Sequence, residues 1–375
     1  VTLSSQQSEA VSAVAAWHRD CMASIGGRRR ITRQVMRVFG YAGTGKTTIA
    51  RHFADQIGGS VAYAAFTGKA ALAMQKSGCA GASTIHSLIY RVDEDDYGRT
   101  TFRLNRDSNA KDADLIIIDE CSMVDEELGA DLLSFRRPIL VLGDPAQLPP
   151  VKGAGFFTNA DPDVMLTEIH RQAEDNPIIR LATAARQGDP IRIGEYGHSR
   201  VVPRGTLSTE EVVEADQVLV GMNRTRSSFN RRIRSALGRG GDGPIPEAGD
   251  KLVCLKNDKD KGLLNGGIFQ VIQIERCDRE HVGMLVTSED FPERDPVSVV
   301  VRREFFAGGI EDVHWKDRRG TQEFDYGYAL TVHKAQGSQW GRVITYDESC
   351  IFRQDARRWL YTAITRAADR LTVVA

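Results

Sequence analysis

The chain has 375 residues, enough for two or three domains. Its 41% hydrophobic and 26% charged residues exclude a wholly disordered or fibrous chain. The 49 basic and 50 acidic side chains nearly cancel to a net charge of -1, so bulk charge alone argues against a nucleic-acid partner.

Residues 3–19, LSSQQSEAVSAVAAWHR, read as a helix capped by Ser4 or Ser5, with Ala10, Val11, Val14, Ala15 and Trp17 or His18 on its apolar face. Arg28, Arg29, Arg30, Arg33 and Arg37 follow with no acid between them, a solvated loop or a basic patch. Residues 35–39 read as a short strand entering a glycine-rich turn. Strand, loop and helix then repeat. VAYAAF (61–66) precedes GKAALAMQK, LIIID (115–119) precedes an acidic helix start, and PILVLGD (138–144) is the next apolar run. Buried strands followed by helices predict a parallel sheet with helices on both faces. The second half carries a helix near 175–187, a strand at 216–221 and a helix near 225–237, then a loop or boundary at 238–249. Residues 250–324 are short alternating runs punctuated by Gly, Pro and Asp, which predicts a small antiparallel barrel. The α/β character returns at Tyr328, so this β domain is inserted into the second α/β domain. A smaller insert between Ile89 and Lys111 reads as a charged hairpin.

Six cysteines at 21, 79, 121, 254, 277 and 350 lie too far apart for a zinc ribbon or a CxxC pair and read as reduced thiols of a cytoplasmic protein. No apolar run approaches the roughly 18 residues of a membrane helix, and VTLSSQQSEA lacks the apolar core of a secretory signal.

The strongest local signal is GYAGTGKT at residues 40–47, a complete GxxxxGKT between a strand and a helix. Gly43 and Gly45 let the backbone wrap phosphate, with Thr44 and Thr48 flanking them. Lys46 is expected on the β and γ phosphates of ATP and Thr47 on Mg2+. Asp119, ending the buried run LIIID, suits a Mg2+-holding role, and Glu120 beside it is placed to activate a water. In GDPAQ (143–147) the amide of Gln147 can sense a γ-phosphate, although the segment is equally an ordinary turn. Arg171 in TEIHRQ and Arg366 in AITRA are candidates for neutralising transition-state charge, and spacing selects neither.

Taken together the chain resembles the RecD/Dda-like branch of superfamily 1 helicases. LSSQQSEAV resembles the N-terminal glutamine motif, GYAGTGKT motif I, AFTGKAA motif Ia, and STIHSL the strand-contacting motif after it. IIIDECSMVD, LGDPAQLPPV, LTEIHRQ, YALTVHKAQGSQW and LYTAITRA resemble motifs II to VI in order. The resemblance implies an α/β fold of two RecA-like P-loop NTPase lobes, with a short hairpin in the first and a small SH3-like β-barrel in the second. The first lobe is expected at 1–88 and 111–175, the hairpin at 89–110, the second lobe at 176–248 and 325–375, and the barrel at 249–324.

The same resemblance places ATP and Mg2+ in the cleft between the lobes. Gln7 would lie near the adenine edge, His170 against the base, and Gly337 among the nucleotide contacts. Thr67, Lys69 and His86 would contact single-stranded DNA on the first lobe, and Thr331, His333, Lys334 and Ser338 on the second. Tyr97, at the hairpin's turn, is either a duplex-splitting wedge or a turn residue. The N-terminal docking region of RecD subunits is expected to be absent. The implied protein is a monomeric ATP-dependent 5'-to-3' DNA helicase, bacterial or phage-encoded, acting at single-strand/duplex junctions beside replication or recombination proteins. A motor subunit of a nuclease complex, an RNA-directed helicase and a strand-clamping remodeller are the competing expectations.

Overall fold

The computed structural model describes residues 3–94, 100–150, 155–168, 175–241, 243–258, 260–308 and 313–375, so Tyr97, His170 and Arg171 lie outside the described residues. The described residues divide into two compact units, the first of those up to 187 and the second of those from 188 to 375. It is an α/β fold of two RecA-like lobes with small β-sheet insertions.

In the first unit the elements are α1 (Ser5–Gly26), β1 (Val35–Gly40), α2 (Lys46–Ile57), β2 (Val61–Ala65), α3 (Gly68–Lys76), β3 (Ser83–Thr84) and α4 (Ile85–Ile89). There follow β4 (Tyr90–Glu94), β5 (Thr100–Leu104), β6 (Leu115–Asp119), α5 (Glu126–Leu133), β7 (Ile139–Gly143), β8 (Val164–Leu166) and α6 (Pro177–Gln187). Six strands pair in the order β3-β2-β6-β7-β1-β8, every pair parallel.

Side chains alternate across a strand, so a sheet covered on both faces needs apolar residues at every position. The central strands meet that demand. Leu115, Ile117, Leu140 and Leu142 pack with Ile49 and Phe53 of α2 and Val14 and Trp17 of α1. Ile116, Ile118, Ile139 and Val141 pack on the other face with Ile85, Ile89, Leu128 and Leu132. Ser4 caps α1 through a reciprocal pair with Gln7, and the helix runs on past residue 19 to Gly26. Ala15 is only half-buried, because the buried stripe shifts along the longer helix to His18 and Cys21. The hairpin is a two-stranded antiparallel ladder in which Tyr90 faces Leu104.

The second unit holds β9 (Gly194–Tyr196), β10 (Ser199–Val202), α7 (Thr209–Val213), β11 (Gln217–Val220) and α8 (Asn223–Ala236). After them come β12 (Lys251–Cys254), β13 (Ile268–Cys277), β14 (His281–Ser288), β15 (Val297–Arg302) and α9 (Arg303–Ala307). The chain closes with β16 (Phe324–Tyr326), β17 (Ala329–Thr331), β18 (Trp340–Tyr346), α10 (Ala356–Ile364) and β19 (Ala367–Val374). One sheet runs β17-β11-β18-β19-β10-β9, parallel except for β9. The inserted sheet, β15-β14-β13-β12-β16, is antiparallel. A bridge between Val301 and Gln322 links its two outer edges, so the strands curl round a core of Leu252, Phe269, Met284, Val299, Phe305 and Phe324.

The insert is fixed to its host by buried polar contacts from α8. The Asn230 amide donates to the Tyr326 and Ala329 carbonyls at 3.1 and 3.3 Å and accepts from the Ala329 N–H at 2.7 Å. It therefore joins β16 of the insert to β17 of the α/β sheet. One turn along, buried Arg234 is paired with buried Asp250 at 2.9 Å, and the Tyr328 hydroxyl donates to the same carboxylate at 2.8 Å. Asn230→Ala leaves three buried backbone groups short of a partner. We expect it to lower stability by about 1–3 kcal/mol, read as a lower denaturant midpoint with an unchanged slope.

Candidate functional site

The loops that follow β1, β2, β6 and β7 all emerge at the carboxyl edge of one parallel sheet, where open α/β sheets hold ligands. Gly43 and Gly45 adopt φ of 82° and 77°, a backbone that bulkier residues rarely take. A Cβ on Gly40 would lie 2.5 Å from Thr44 Oγ1, so the strand end has room only for glycine. The Thr44 hydroxyl donates to the Tyr41 carbonyl at 2.9 Å, and the Lys46 ammonium donates to the same carbonyl at 2.9 Å. The lysine is thus folded onto its own loop. Gln7 donates to the Thr44 carbonyl at 3.0 Å while its own carbonyl accepts the Ser4 N–H at 3.0 Å, so its amide braces the loop from behind. Thr48 is exposed on the first turn of α2.

Strand alternation decides where the acid points. Asp119 continues the parity of Leu115 and Ile117, whose face is covered by α2. The Thr47 hydroxyl on α2 accordingly donates to Asp119 Oδ2 at 2.7 Å. Burial pushes the Asp119 carboxyl above its ordinary pKa, opposed by the Thr47 hydroxyl, the Glu120 N–H and the charge of Lys46. Glu120 then leaves the strand with φ 52° and ψ 44°, a left-handed conformation that non-glycine residues adopt at some cost. After β7, Asp144 is fully buried and accepts from the Ala146 N–H at 2.9 Å. The Gln147 side-chain oxygen is buried with no hydrogen-bond partner among the described residues, as is the Ser122 hydroxyl. An unanswered buried acceptor costs about 1–3 kcal/mol, the signature of a group kept for a ligand or water.

In the second unit Arg366 is 4% exposed. Its guanidinium donates to the Thr362 carbonyl at 3.1 Å, the Ser338 carbonyl at 3.2 Å and the Thr365 hydroxyl at 3.1 Å. Every acceptor is neutral, so the buried cation meets no carboxylate among the described residues. Gly337, beside buried Ser338, has φ 74°.

The expected strand contacts fall at helix starts and turns. The Thr67 hydroxyl caps α3 by accepting the Ala70 N–H at 3.2 Å, and Lys69 is half-buried in the following turn. His86 on α4 sits among Phe66, Tyr90 and exposed Phe102, with ring centres 5.6–6.2 Å away. Thr331 accepts the Lys334 N–H at 3.3 Å, and the Lys334 ammonium donates to Asn265 of the insert at 2.5 Å. His333 lies 5.5 Å from the Phe352 ring, which stacks on Trp359. Burial lowers the pKa of His86, His333 and Lys334, with nearby Asp125 opposing it for His86 and Asp355 for His333.

Residues 2–206, more than half of the chain, match the family described as AAA domain. The chain belongs to the AAA domain family. Residues 326–374 match a second family, the UvrD-like helicase C-terminal domain. The chain is similar to the ATP-dependent RecD2 DNA helicase of Deinococcus radiodurans, at 32% identity over 361 residues, covering 88% of this chain and 45% of that protein. It is also similar to the ATP-dependent DNA helicase dda of Enterobacteria phage T4, at 33% over 179 residues, covering 44% of this chain and 39% of that one. It thus spans less than half the length of these two relatives. The solved structure of Bacteroides Pif1 bound to ssDNA shares the fold, with a TM-score of 0.58 at 17% identity and coverage of 99% of this chain and 92% of that chain. In sequence the chain is similar to proteins named RecD2, RecD and dda, and in fold to Pif1 structures, so the likeness does not settle on the RecD/Dda branch alone.

Within this AAA-type site the fold brings Gln7, Thr44, Lys46, Thr47, Asp119, Glu120 and Gln147 to one sheet edge of the first unit. It also reveals two participants that spacing does not mark. Tyr41 occupies a variable position of GxxxxGKT, yet its carbonyl holds Lys46 and its ring lies 3.7 Å beneath the Arg186 guanidinium. Asp144 looks like part of a turn until its complete burial is seen. No helix among the described residues is long and apolar enough to cross a membrane.

Histidines with lowered pKa have a testable consequence. An unfolded histidine titrates near 6.5. The folded pKa of His86 lies lower, so within that window the unfolded chain binds more protons and stability rises with pH. Denaturation midpoints should fall from pH 7.5 to 5.5, and His86→Asn should shrink the fall.

Proposed function

We propose that this protein is an ATP-dependent DNA helicase that moves 5'-to-3' on single-stranded DNA and opens duplex at junctions. The observation that carries the reading is Arg366: a buried guanidinium answered only by neutral acceptors, in a segment matching the UvrD-like helicase C-terminal domain, on a chain whose other unit bears a complete P-loop. Such a cation is kept for an anionic ligand, and the terminal phosphate of ATP is the anion this family of chains handles. The matched relatives are named as DNA helicases, which supports DNA as the track.

The residues present suit ATP with Mg2+. Thr47 Oγ1 and Asp119 Oδ2 are hard oxygen donors 2.7 Å apart, and a divalent cation beside them would offset the cost of burying the carboxylate. When bound, Mg2+ would supply charge neutralisation for the phosphates. Lys46 would exchange the Tyr41 carbonyl for phosphate oxygens, and the glycine-rich backbone would donate its N–H groups. Glu120, held out of strand geometry, would orient and deprotonate the attacking water. Gln147, whose side-chain oxygen has no hydrogen-bond partner among the described residues, would register whether the γ-phosphate is present.

For the strand we assign Thr67, Lys69 and His86 in the first unit and Thr331, His333, Lys334 and Ser338 in the second. Two of these hydroxyls, those of Thr67 and Thr331, already cap a helix and a turn, so backbone N–H groups and the shape of those loops would carry much of the phosphate contact. The β4–β5 ladder is read as the duplex-opening pin and the curled five-stranded sheet as an SH3-like insert.

Unwinding assays on duplexes with a 5' or a 3' single-stranded tail test the proposal. The 5'-tailed substrate should open and the 3'-tailed one should not; the reverse preference sinks the polarity. Lys46→Ala should abolish ATP hydrolysis. Glu120→Gln should lower kcat by about 100-fold or more while nucleotide affinity holds. ATPase stimulation by RNA but not DNA would replace the track.

A further inference from the structure

The amino-terminal edge of the first unit's sheet, opposite the P-loop, is lined with arginine. The neighbouring strands β6, β7 and β1 are preceded by segments 105–114, 134–138 and 28–34. These segments are tied together. Gln34 donates to the Leu133 carbonyl at 2.9 Å, Arg137 to the Lys111 carbonyl at 2.6 Å, and Arg106 to the Ser134 hydroxyl at 3.1 Å. They carry Arg28, Arg29, Arg30, Arg33, Arg106, Lys111, Arg136 and Arg137. Asp163 pairs with Arg33, and Asp107 with Lys111. Of the remaining acids, exposed Asp112 is one, and Asp114 accepts the Ser60 N–H at 2.9 Å. Among the described residues no carboxylate lies within ion-pair distance of Arg28, Arg29, Arg30, Arg106, Arg136 or Arg137.

Cations near the carboxyl ends of α1 and α5 would complement the helix dipoles, but one per helix serves that purpose. Arg28 and Arg136 also stand at φ 54° and 55°, just beyond those helices, where glycine is the favoured residue. Holding arginine there costs roughly 1 kcal/mol, so helix termination does not explain the choice. Neighbouring strands are about 4.8 Å apart, so the cations spread along an open rim about 10 Å wide rather than round a pocket. That form fits a polyanion with closely spaced charges, such as a duplex with one per about 1.7 Å of axis. Single-strand sites add aromatic platforms for bases, and here Phe135 is buried and these segments contain no other aromatic residue. Guanidinium forks match phosphate oxygens two at a time.

We propose that this arginine rim is a second nucleic-acid contact that grips the phosphodiester backbone of duplex DNA, separate from the strand-contacting loops at the opposite edge. The proposal rests on the reading of the chain as a DNA motor and adds a duplex anchor to it.

The test uses the full chain with Arg28, Arg29, Arg30 and Arg136, all exposed, replaced together by Gln. Affinity for a short blunt duplex, read by fluorescence anisotropy, should fall about tenfold or more at physiological salt. The slope of log affinity against log salt should shrink by up to about 3–4, close to 0.9 per lost phosphate contact. ATP hydrolysis stimulated by a short single-stranded oligonucleotide should stay unchanged, and the matching Arg→Lys variant should keep most of the slope. Unaltered duplex affinity and slope in the Gln variant overturn the proposal. So does loss of polyglutamate binding with duplex binding intact, which would make the rim a docking site for an acidic protein. A wild-type chain whose ATPase ignores single-stranded DNA would sink the motor reading, while the duplex comparison would still decide the rim.

Discussion

The hydrogen bond from Thr47 to Asp119 depends on more of this structure than any other contact. It requires β6 to carry its acid on the face covered by α2, which follows from the alternation of Leu115, Ile117 and Asp119 along an otherwise apolar strand. It requires β7 to lie between β6 and β1, so that the end of one strand and the loop after the other share an edge. It also places a carboxylate where solvent cannot stabilise its charge. The compensation comes from two donors, a hydroxyl and a backbone N–H, and from the charge of a nearby ammonium, all positioned by the same two loops.

The second unit solves a different problem, the attachment of a β insert without a flexible joint. The last insert strand and the first strand after it are separated by only Gly327 and Tyr328, and Asn230 bonds to both strands. A Cβ on Gly327 would approach the Leu252 carbonyl carbon to 2.8 Å, so the crossing point is packed against the insert's own backbone. The buried Arg234–Asp250 pair is weak evidence for stability, since desolvation offsets much of its attraction. Its role is better described as fixing one geometry, because Asp250 also receives the Tyr328 hydroxyl next to β17. Thr331, His333 and Lys334 follow directly, so the insert and the turn carrying these residues share a framework.

Near-zero net charge hides strong local asymmetry. The sum of -1 averages a run of arginines on one rim of the first unit with acids elsewhere, and electrostatic attraction acts over about a Debye length, not over the whole chain. Composition therefore says little about nucleic acid, and the proposed DNA contacts rest on the placement of charge on particular loops.

Much of the molecule was legible from sequence because its signals are local. GxxxxGKT, the fully apolar strands and the Ser4–Gln7 cap each lie within a few residues and dictate a phosphate loop, a two-faced sheet and a helix start. The helices expected near 175–187 and 225–237 and the strand expected at 216–221 fall within two residues of their expected ends. What tertiary structure alone decided is which loops become neighbours. The pairing of Val35 with Ile139 brings the segments that carry Arg28–Arg30 and Arg136, more than a hundred positions apart, to one edge of the sheet. The same folding buries the Gln147 oxygen with no hydrogen-bond partner among the described residues and brings the Ser338 carbonyl onto Arg366. Short-range spacing fixes conformation and chemistry. Strand order and burial, which fix charge environment and proximity, arise from contacts between segments distant in sequence.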